Sequence, residues 1–353
     1  MGGWLKTDHT GIGRLSSYNR GRELGLRILT RPGIMGRVCD SQPTTEGALL
    51  AGGLSDGQLE AIPVGHTVMR QKLADFDRLA QEMRLRITDQ TPVKHQLDTI
   101  REFLADETTL GLDELDAKWG PRFLEYFQAE FVVGRFIGAV LELRGLPGLK
   151  KILKDKVLPE SMVQDFVPTQ AKDALYELEL AADLKRSGFR VELREPDIVA
   201  HENGLSKPLA LACKFPSSRQ QLHEHLNKGY KQITGQGLDG VVAIGLDLII
   251  GKEAELGLFL DFRRGDKPPM EVLLRQLAEE VKTLEEERPR DYPSERALDG
   301  LMLTLMPGGI YGKPARLVTL NGVTLRCAPG NPLVADLAIV KQKLEALNSD
   351  GLA

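Results

Sequence analysis

Asp197 and Lys214 are spaced for work on a phosphodiester. Glu195-Pro196-Asp197 opens one strand-like run, and Ala212-Cys213-Lys214 lies near the end of the next. Hydrolysing a phosphodiester calls for a divalent cation on a few carboxylates, an activated water and a positive charge near the developing negative one. Hard ions such as Mg²⁺ take oxygen ligands and keep several waters. A compact solution puts one carboxylate at the start of a strand, with a second carboxylate and a lysine two residues apart on its neighbour. Residues i and i+2 of a strand face the same side and so converge on one ion. Here the aspartate and the lysine are in place, and Ala212 stands where the second carboxylate would be.

The spacing and strand context resemble the PD-(D/E)XK, or restriction-endonuclease-like, nuclease superfamily. Upstream, Glu177, Ala181, Leu184 and Gly188 form an ExxxAxxLxxxG pattern similar to the first helix of many members. Leu180, Ala181 and Leu184 share the helical face of Glu177, which should therefore point inward at the sheet, whereas Glu179 lies on another face. Downstream, a short loop after Lys214 leads to a helix bearing Lys228, Lys231 and Gln232, then to an apolar strand. The resemblance covers roughly residues 165 to 260. It implies an α/β domain with a mixed central sheet flanked by helices, and Mg²⁺- or Mn²⁺-dependent phosphodiester cleavage. Asp197 and Glu177 would hold the metal with the main-chain carbonyl of Cys213 as a further ligand. Lys214 would orient the attacking water or stabilise the transition state. Lys228, Lys231 and Gln232 would contact phosphates, of DNA ahead of RNA.

Ala212 departs from the superfamily pattern, since a methyl group cannot ligate a metal. Three readings follow: an introduced Glu-to-Ala change that traps substrate, a non-cutting relative, or a role taken over by Glu179 or Glu195. The matching functional alternative is a non-catalytic nucleic-acid-binding or assembly subunit that keeps the fold. A third reading gives the helical part a protein–protein role in a defence or repair complex.

Taken singly, these residues have ordinary explanations. Aspartate after proline is common at turns, and a strand lysine can snorkel to water. The ordered set argues for a site. His223 and His225 diverge on a helix and read as surface residues. Gly308 to Lys313 has the wrong glycine spacing for a phosphate loop, and Pro314 replaces the required hydroxyl residue.

The elements that must position this set follow from periodicity. Residues 1–62 have no sustained period and read as an irregular arm, with seven Lys/Arg against three Asp/Glu before residue 41. From Thr67 to about Val157 the pattern is helical: Val68, Leu73, Phe76, Leu79 and Met83 recur at helical spacing, as do Leu97, Ile100, Phe103 and Leu104. Further helices are expected over Leu112–Trp119 and Pro121–Arg144, with Phe123, Phe127 and Phe131 as core, then a short lysine-rich helix from Leu149. This 63–160 segment is read as a helical domain and 161–353 as the nuclease-like domain. The second opens with a helix over Gln170–Ser187 stopped at Gly188. Strands are expected at Phe189–Leu193, Asp197–His201 and Leu209–Phe215, with a tight turn at Asn203-Gly204. A helix over Arg219–Ile233, a buried strand over Val241–Ile250, a helix over Pro269–Glu287 and strands near Leu301–Leu305 and Leu317–Cys327 complete it. Met270, Leu274, Leu277, Val281 and Leu284 are spaced for packing on the sheet or for a short dimer seam.

Composition sets the remaining limits. With 353 residues, 42% hydrophobic and 27% charged, the chain has the balance of an ordinary globular protein of two domains. A net charge of −4 argues against coating nucleic acid by bulk charge and leaves room for a local basic groove. Cys39, Cys213 and Cys327 match no zinc spacing and fit free thiols in a reducing cytoplasm. No stretch is read as a signal peptide or a membrane span.

Overall fold

The computed structural model describes residues 50–51, 66–120, 122–162, 168–249, 259–261, 300–305, 308–311, 316–319, 322–326 and 333–350. The elements in chain order are β1 (Leu50–Ala51), α1 (His66–Glu82), α2 (Pro92–Thr109), α3 (Leu112–Trp119) and α4 (Phe123–Glu142). Then come α5 (Leu149–Ile152), a π-helical turn (Leu153–Val157), α6 (Gln170–Arg186), β2 (Arg190–Arg194), β3 (Asp197–His201) and β4 (Leu209–Lys214). They are followed by a 3₁₀ turn (Arg219–Gln221), α7 (Leu222–Gly235), β5 (Asp239–Gly245), β6 (Phe259–Asp261) and β7 (Leu301–Leu305). The last are β8 (Gly308–Tyr311), β9 (Arg316–Thr319), β10 (Gly322–Arg326) and α8 (Leu333–Asp350).

α6 begins and ends as its sequence requires. Thr169 caps it, its side chain accepting from the Lys172 amide at 3.2 Å. At the other end Gly188 takes φ 89°, its N–H bonds the Lys185 carbonyl, and the Phe189 N–H bonds the Leu184 carbonyl. That pair of bonds is a Schellman stop, and the left-handed residue in it favours glycine.

The sheet runs in the order β1-β10-β7-β5-β4-β3-β2. β3 is antiparallel to both β2 and β4, while β4, β5 and β7 are mutually parallel. The strands alternate between two helical layers. Leu211, Val241, Ala243, Ile198 and Met302 join one continuous core with α6, α4, α2 and α1. The intervening Ala212 faces α7, where Gly229 lies so close that a Cβ there would be 3.3 Å from that of Ala212. The result is a mixed sheet flanked by helices, with the N-terminal helices packed on the α6 side. The buried cluster runs unbroken from α1 to the sheet. Within it Phe76 meets Phe136 edge-on at 5.4 Å, and Phe103 stacks on Tyr126 beside Trp119.

Several expectations are corrected. Val68 is exposed, and Met69 takes its place on the buried face of α1. The run Val241–Ile250 is strand only to Gly245; residues 247–249 are helical. Segment 317–327 is not one strand but parts of two, β9 in a separate three-stranded sheet and β10 in the main one. Asn203-Gly204 does centre a turn, closed by the Leu205 N–H on the Glu202 carbonyl at 3.1 Å, but neither residue has positive φ. It lies in a seven-residue connection, not a two-residue hairpin. His223 and His225 are half-buried. Part of the segment read as an irregular arm, Leu50–Ala51, pairs with β10. The expected helix over 269–287, with its seam residues, lies outside the described residues, as do Cys39 and Cys327. Among the described residues, no helix is long and apolar enough to cross a membrane.

Candidate active site

The ladder between β3 and β4 ends at the pair Ile198–Leu211, although both strands continue. Beyond it no β3–β4 pair is formed, and the Cys213 N–H is directed at Asp197 and not at a paired β3 residue. The Asp197 carboxylate takes its place, Oδ2 accepting from that N–H at 2.7 Å. A buried amide left unpaired would be costly, so this bond ties the aspartate to the splay. Lys214 completes the knot, donating from Nζ to Asp197 Oδ2 at 3.3 Å and to the Cys213 carbonyl at 2.8 Å. Both side chains are mostly buried, at 16% and 13% exposed. Two acceptors and one lysine thus sit where two strands part.

Glu177 arrives from the other layer. It is buried on α6, and Lys156 on the π-helical turn donates to its Oε2 at 3.0 Å. Burial raises the Glu177 carboxyl to about 6, with Asp197 pushing the same way against Lys156 and Lys214. Asp173, one turn earlier on α6, is also lifted to about 6 by burial, against the pull of Lys214 and Lys156. Its area is largely open to solvent, yet protein crowds it on enough sides for desolvation to dominate. Burial likewise raises Asp197, opposed by Lys214 and the Cys213 N–H. The Cys213 thiol is pushed up by burial and by Asp197 and Glu177, so it stays a neutral thiol facing the core. The mutual influence of these groups places Asp173, Glu177, Asp197, Lys156 and Lys214 in one electrostatic cluster.

The structure brings Asp197, Lys214 and the Cys213 carbonyl into hydrogen-bond contact, with Glu177 within electrostatic reach of Asp197 and Lys214. Ala212 lies one position beyond the last β3–β4 pair and is fully buried under Gly229 of α7. The two other candidate carboxylates are differently placed. Glu179 is locked in a two-bond pair with Arg135 at 2.6 and 2.5 Å inside the α4–α6 interface. Glu195 is exposed at the turn before β3, where Gln232 Nε2 donates to it at 3.2 Å. Lys228 pairs with Glu224 along the open face of α7, and Lys231 is exposed there too. Burial first, then the charges of Lys228 and Lys214, lower the pKa of His225.

Lys156 and Asp173 were not singled out from the sequence. Asp173 had a signal, four residues before Glu177 on one helical face. Lys156 had none, because its direction depends on the π turn.

Comparison of the chain with protein-family models, curated proteins and solved structures finds no match in any of the three. The site must be judged on its own donors. Among the described residues, no three His, Cys, Asp or Glu side chains are gathered closely enough to hold a metal ion. Mg²⁺, however, is commonly held by one or two carboxylates with waters and substrate phosphate completing the shell. Asp197, Glu177 and the Cys213 carbonyl supply oxygen donors of that kind, so the donor set suits a hard divalent ion. Both acids are currently occupied by lysine amines.

Proposed function

We propose that the chain is a restriction-endonuclease-like nucleic-acid-processing protein whose chemistry is Mg²⁺- or Mn²⁺-dependent phosphodiester cleavage, acting in the cytoplasm on DNA ahead of RNA. The observation that carries this reading is the parting of β3 and β4. There an aspartate carboxylate, a main-chain carbonyl and a lysine amine meet within hydrogen-bond distance. The order helix, three antiparallel strands, helix, parallel strand around that point supports it further. A divalent ion, when bound, would supply charge neutralisation at the phosphate and a more acidic water.

The chain's own groups divide the remaining work. Asp197 and Glu177 would hold the ion, with the Cys213 carbonyl beside them. Lys214 carries its amine at the mouth of the splay, fixed by two acceptors, and would face a phosphate oxygen as negative charge builds there. The α7 side chains Lys228 and Lys231 and the amide of Gln232 would meet the flanking backbone, supplying sequence-independent affinity.

One observation favours a second reading, a non-catalytic nucleic-acid-binding subunit. Position 212 carries alanine and is sealed under Gly229, so the second carboxylate of the pattern is absent there. A single experiment separates the two. The chain and its Ala212→Glu variant are incubated with single- and double-stranded DNA and RNA, with Mg²⁺ and with Mn²⁺, and both cutting and binding are recorded. Cutting that is lost in Asp197→Asn and in Lys214→Met supports the nuclease. Binding without cutting by either protein leaves the non-catalytic subunit, and no binding at all rejects both readings.

A further inference from the structure

The π-helical turn has a structural cost that the fold retains. An α-helix starting at Leu149 widens by one residue at Leu153, and the Leu158 N–H closes on the Leu153 carbonyl five residues back, at 2.9 Å. Leu153 and Val157 are both fully buried. The wider turn keeps these two anchors in the core, and of the three residues between them Lys156 is the one directed at α6. Such single-turn widenings concentrate at functional sites, because they re-aim one side chain without breaking the helix.

Lys156 is aimed at Glu177. Its Nζ lies 3.0 Å from Oε2 of a carboxylate only 7% exposed, while the lysine side chain itself is 43% exposed. A buried acid here meets a solvent-accessible cation on a flexible stem. Lys214 plays the corresponding part for Asp197 from the neighbouring strand β4. Each of the two acids proposed as metal ligands is thus held by its own lysine. The two lysines differ in one respect. Lys214 is 13% exposed and held by two acceptors, whereas Lys156 makes one ion pair and can swing into solvent.

We propose that Lys156 is a tethered cation that competes with the divalent metal for Glu177, and that metal binding requires it to swing away. The inference rests on the reading of Glu177 as a metal ligand and adds to it an internal competitor. Burial alone would favour an uncharged lysine, but the neighbouring Glu177, Asp197 and Asp173 outweigh it and keep the amine charged. The displaced amine remains beside the site, where a phosphodiester oxygen is the fitting partner. Metal and a phosphate ligand would then help one another bind, since each relieves the contact the other must break.

The test is Mn²⁺ binding without nucleic acid, followed by calorimetry or by electron paramagnetic resonance of free Mn²⁺. Lys156→Met should bind Mn²⁺ about tenfold or more tighter than the unaltered chain, the scale of one charge-assisted hydrogen bond removed. Lys156→Arg keeps the competitor and should stay weak. Lys156→Met with Glu177→Gln should lose the gain. Thermal unfolding of each variant shows that it is folded, and Lys156→Gln replaces Lys156→Met if the latter is not. Equal Mn²⁺ affinity in the folded Lys156→Met variant and the unaltered chain overturns the proposal. So does a gain that survives Glu177→Gln. A second arm adds a short oligonucleotide and asks whether it tightens Mn²⁺ in the unaltered chain and less so in Lys156→Met. Absence of any oligonucleotide effect, with the first arm positive, would count against the nucleic-acid reading and leave the competition standing.

Discussion

Replacing Arg135 with methionine removes the cation from a buried ion pair. Arg135 donates twice to Glu179, at 2.6 and 2.5 Å, and the two side chains are 14% and 7% exposed. Asp183 and Asp247 lie close enough to press on both members. Burial raises the Glu179 carboxyl despite Arg135, and the three acids hold the Arg135 pKa up despite its burial. Taking away one partner of a buried pair strands the other, at a cost of about 3–5 kcal/mol. At roughly 2 °C per kcal/mol for a chain of this size, melting should fall by about 6–10 °C. The loss should depend on pH with a definite sign. A carboxyl whose folded pKa is raised binds its proton more tightly in the folded state, so stability falls as pH rises from the unfolded value toward the folded one. Without Arg135 the folded value rises further, so the deficit should grow as pH rises above the folded value of the unaltered chain. Removing Glu179 as well, in Arg135→Met with Glu179→Leu, should recover most of it. The assay is urea or thermal unfolding at pH 5 and pH 7.5. A deficit under about 1 kcal/mol at pH 7.5, or one that shrinks as pH rises, would refute the buried pair.

Other perturbations have equally specific outcomes. Glu177→Gln should flatten the metal-free protein's loss of stability between pH 4.5 and 6. The unaltered carboxyl, raised to about 6, contributes an instability on the order of 2 kcal/mol once ionised, readable as melting temperature against pH. Gly229→Ala should destabilise by about 1–3 kcal/mol, because its methyl would come within 2.7 Å of Val242 Cγ1 and lift α7 from the sheet. Denaturant unfolding measures the loss, and salt-dependent binding shows whether the α7 lysines have shifted. Reversing Lys228 and Lys231 together should lower nucleic-acid affinity alike for all sequences and reduce the salt slope by about 2. An unchanged slope would remove α7 from the proposed groove.

Local chemistry was legible in the chain wherever neighbours in sequence decide the outcome. Thr169 and Gly188 bound α6 because capping is a matter of a few backbone groups. Positions 212 and 214 share a face of β4 by the two-residue period of β structure, and the meeting of Lys214 with Asp197 required in addition that β3 and β4 be neighbours. Glu177 was readable as inward-facing because its own helix carried the apolar stripe. Periodicity was less able to choose between adjacent positions at a helix start, so Val68 was placed on the face that Met69 occupies. The end of β5 at Gly245 was hidden because the apolar residues that follow it suit a buried helix turn as well as a strand.

Only the tertiary structure decided what those side chains meet. The ladder stops at Ile198–Leu211, and that opening makes a binding point of the Cys213 amide and carbonyl. Lys156 belongs to the site because one widened turn rotates it and because α6 packs against that turn, facts that no local pattern encodes. Glu179 was a free candidate in the sequence and is spoken for by Arg135, 44 residues away. Ala212 marked a missing carboxylate in one dimension; in three it is the floor on which Gly229 rests. The physical reason is common to all four. Caps and faces are set by bonds within a turn or two, whereas charge pairing and close packing depend on which distant segments the buried core brings together.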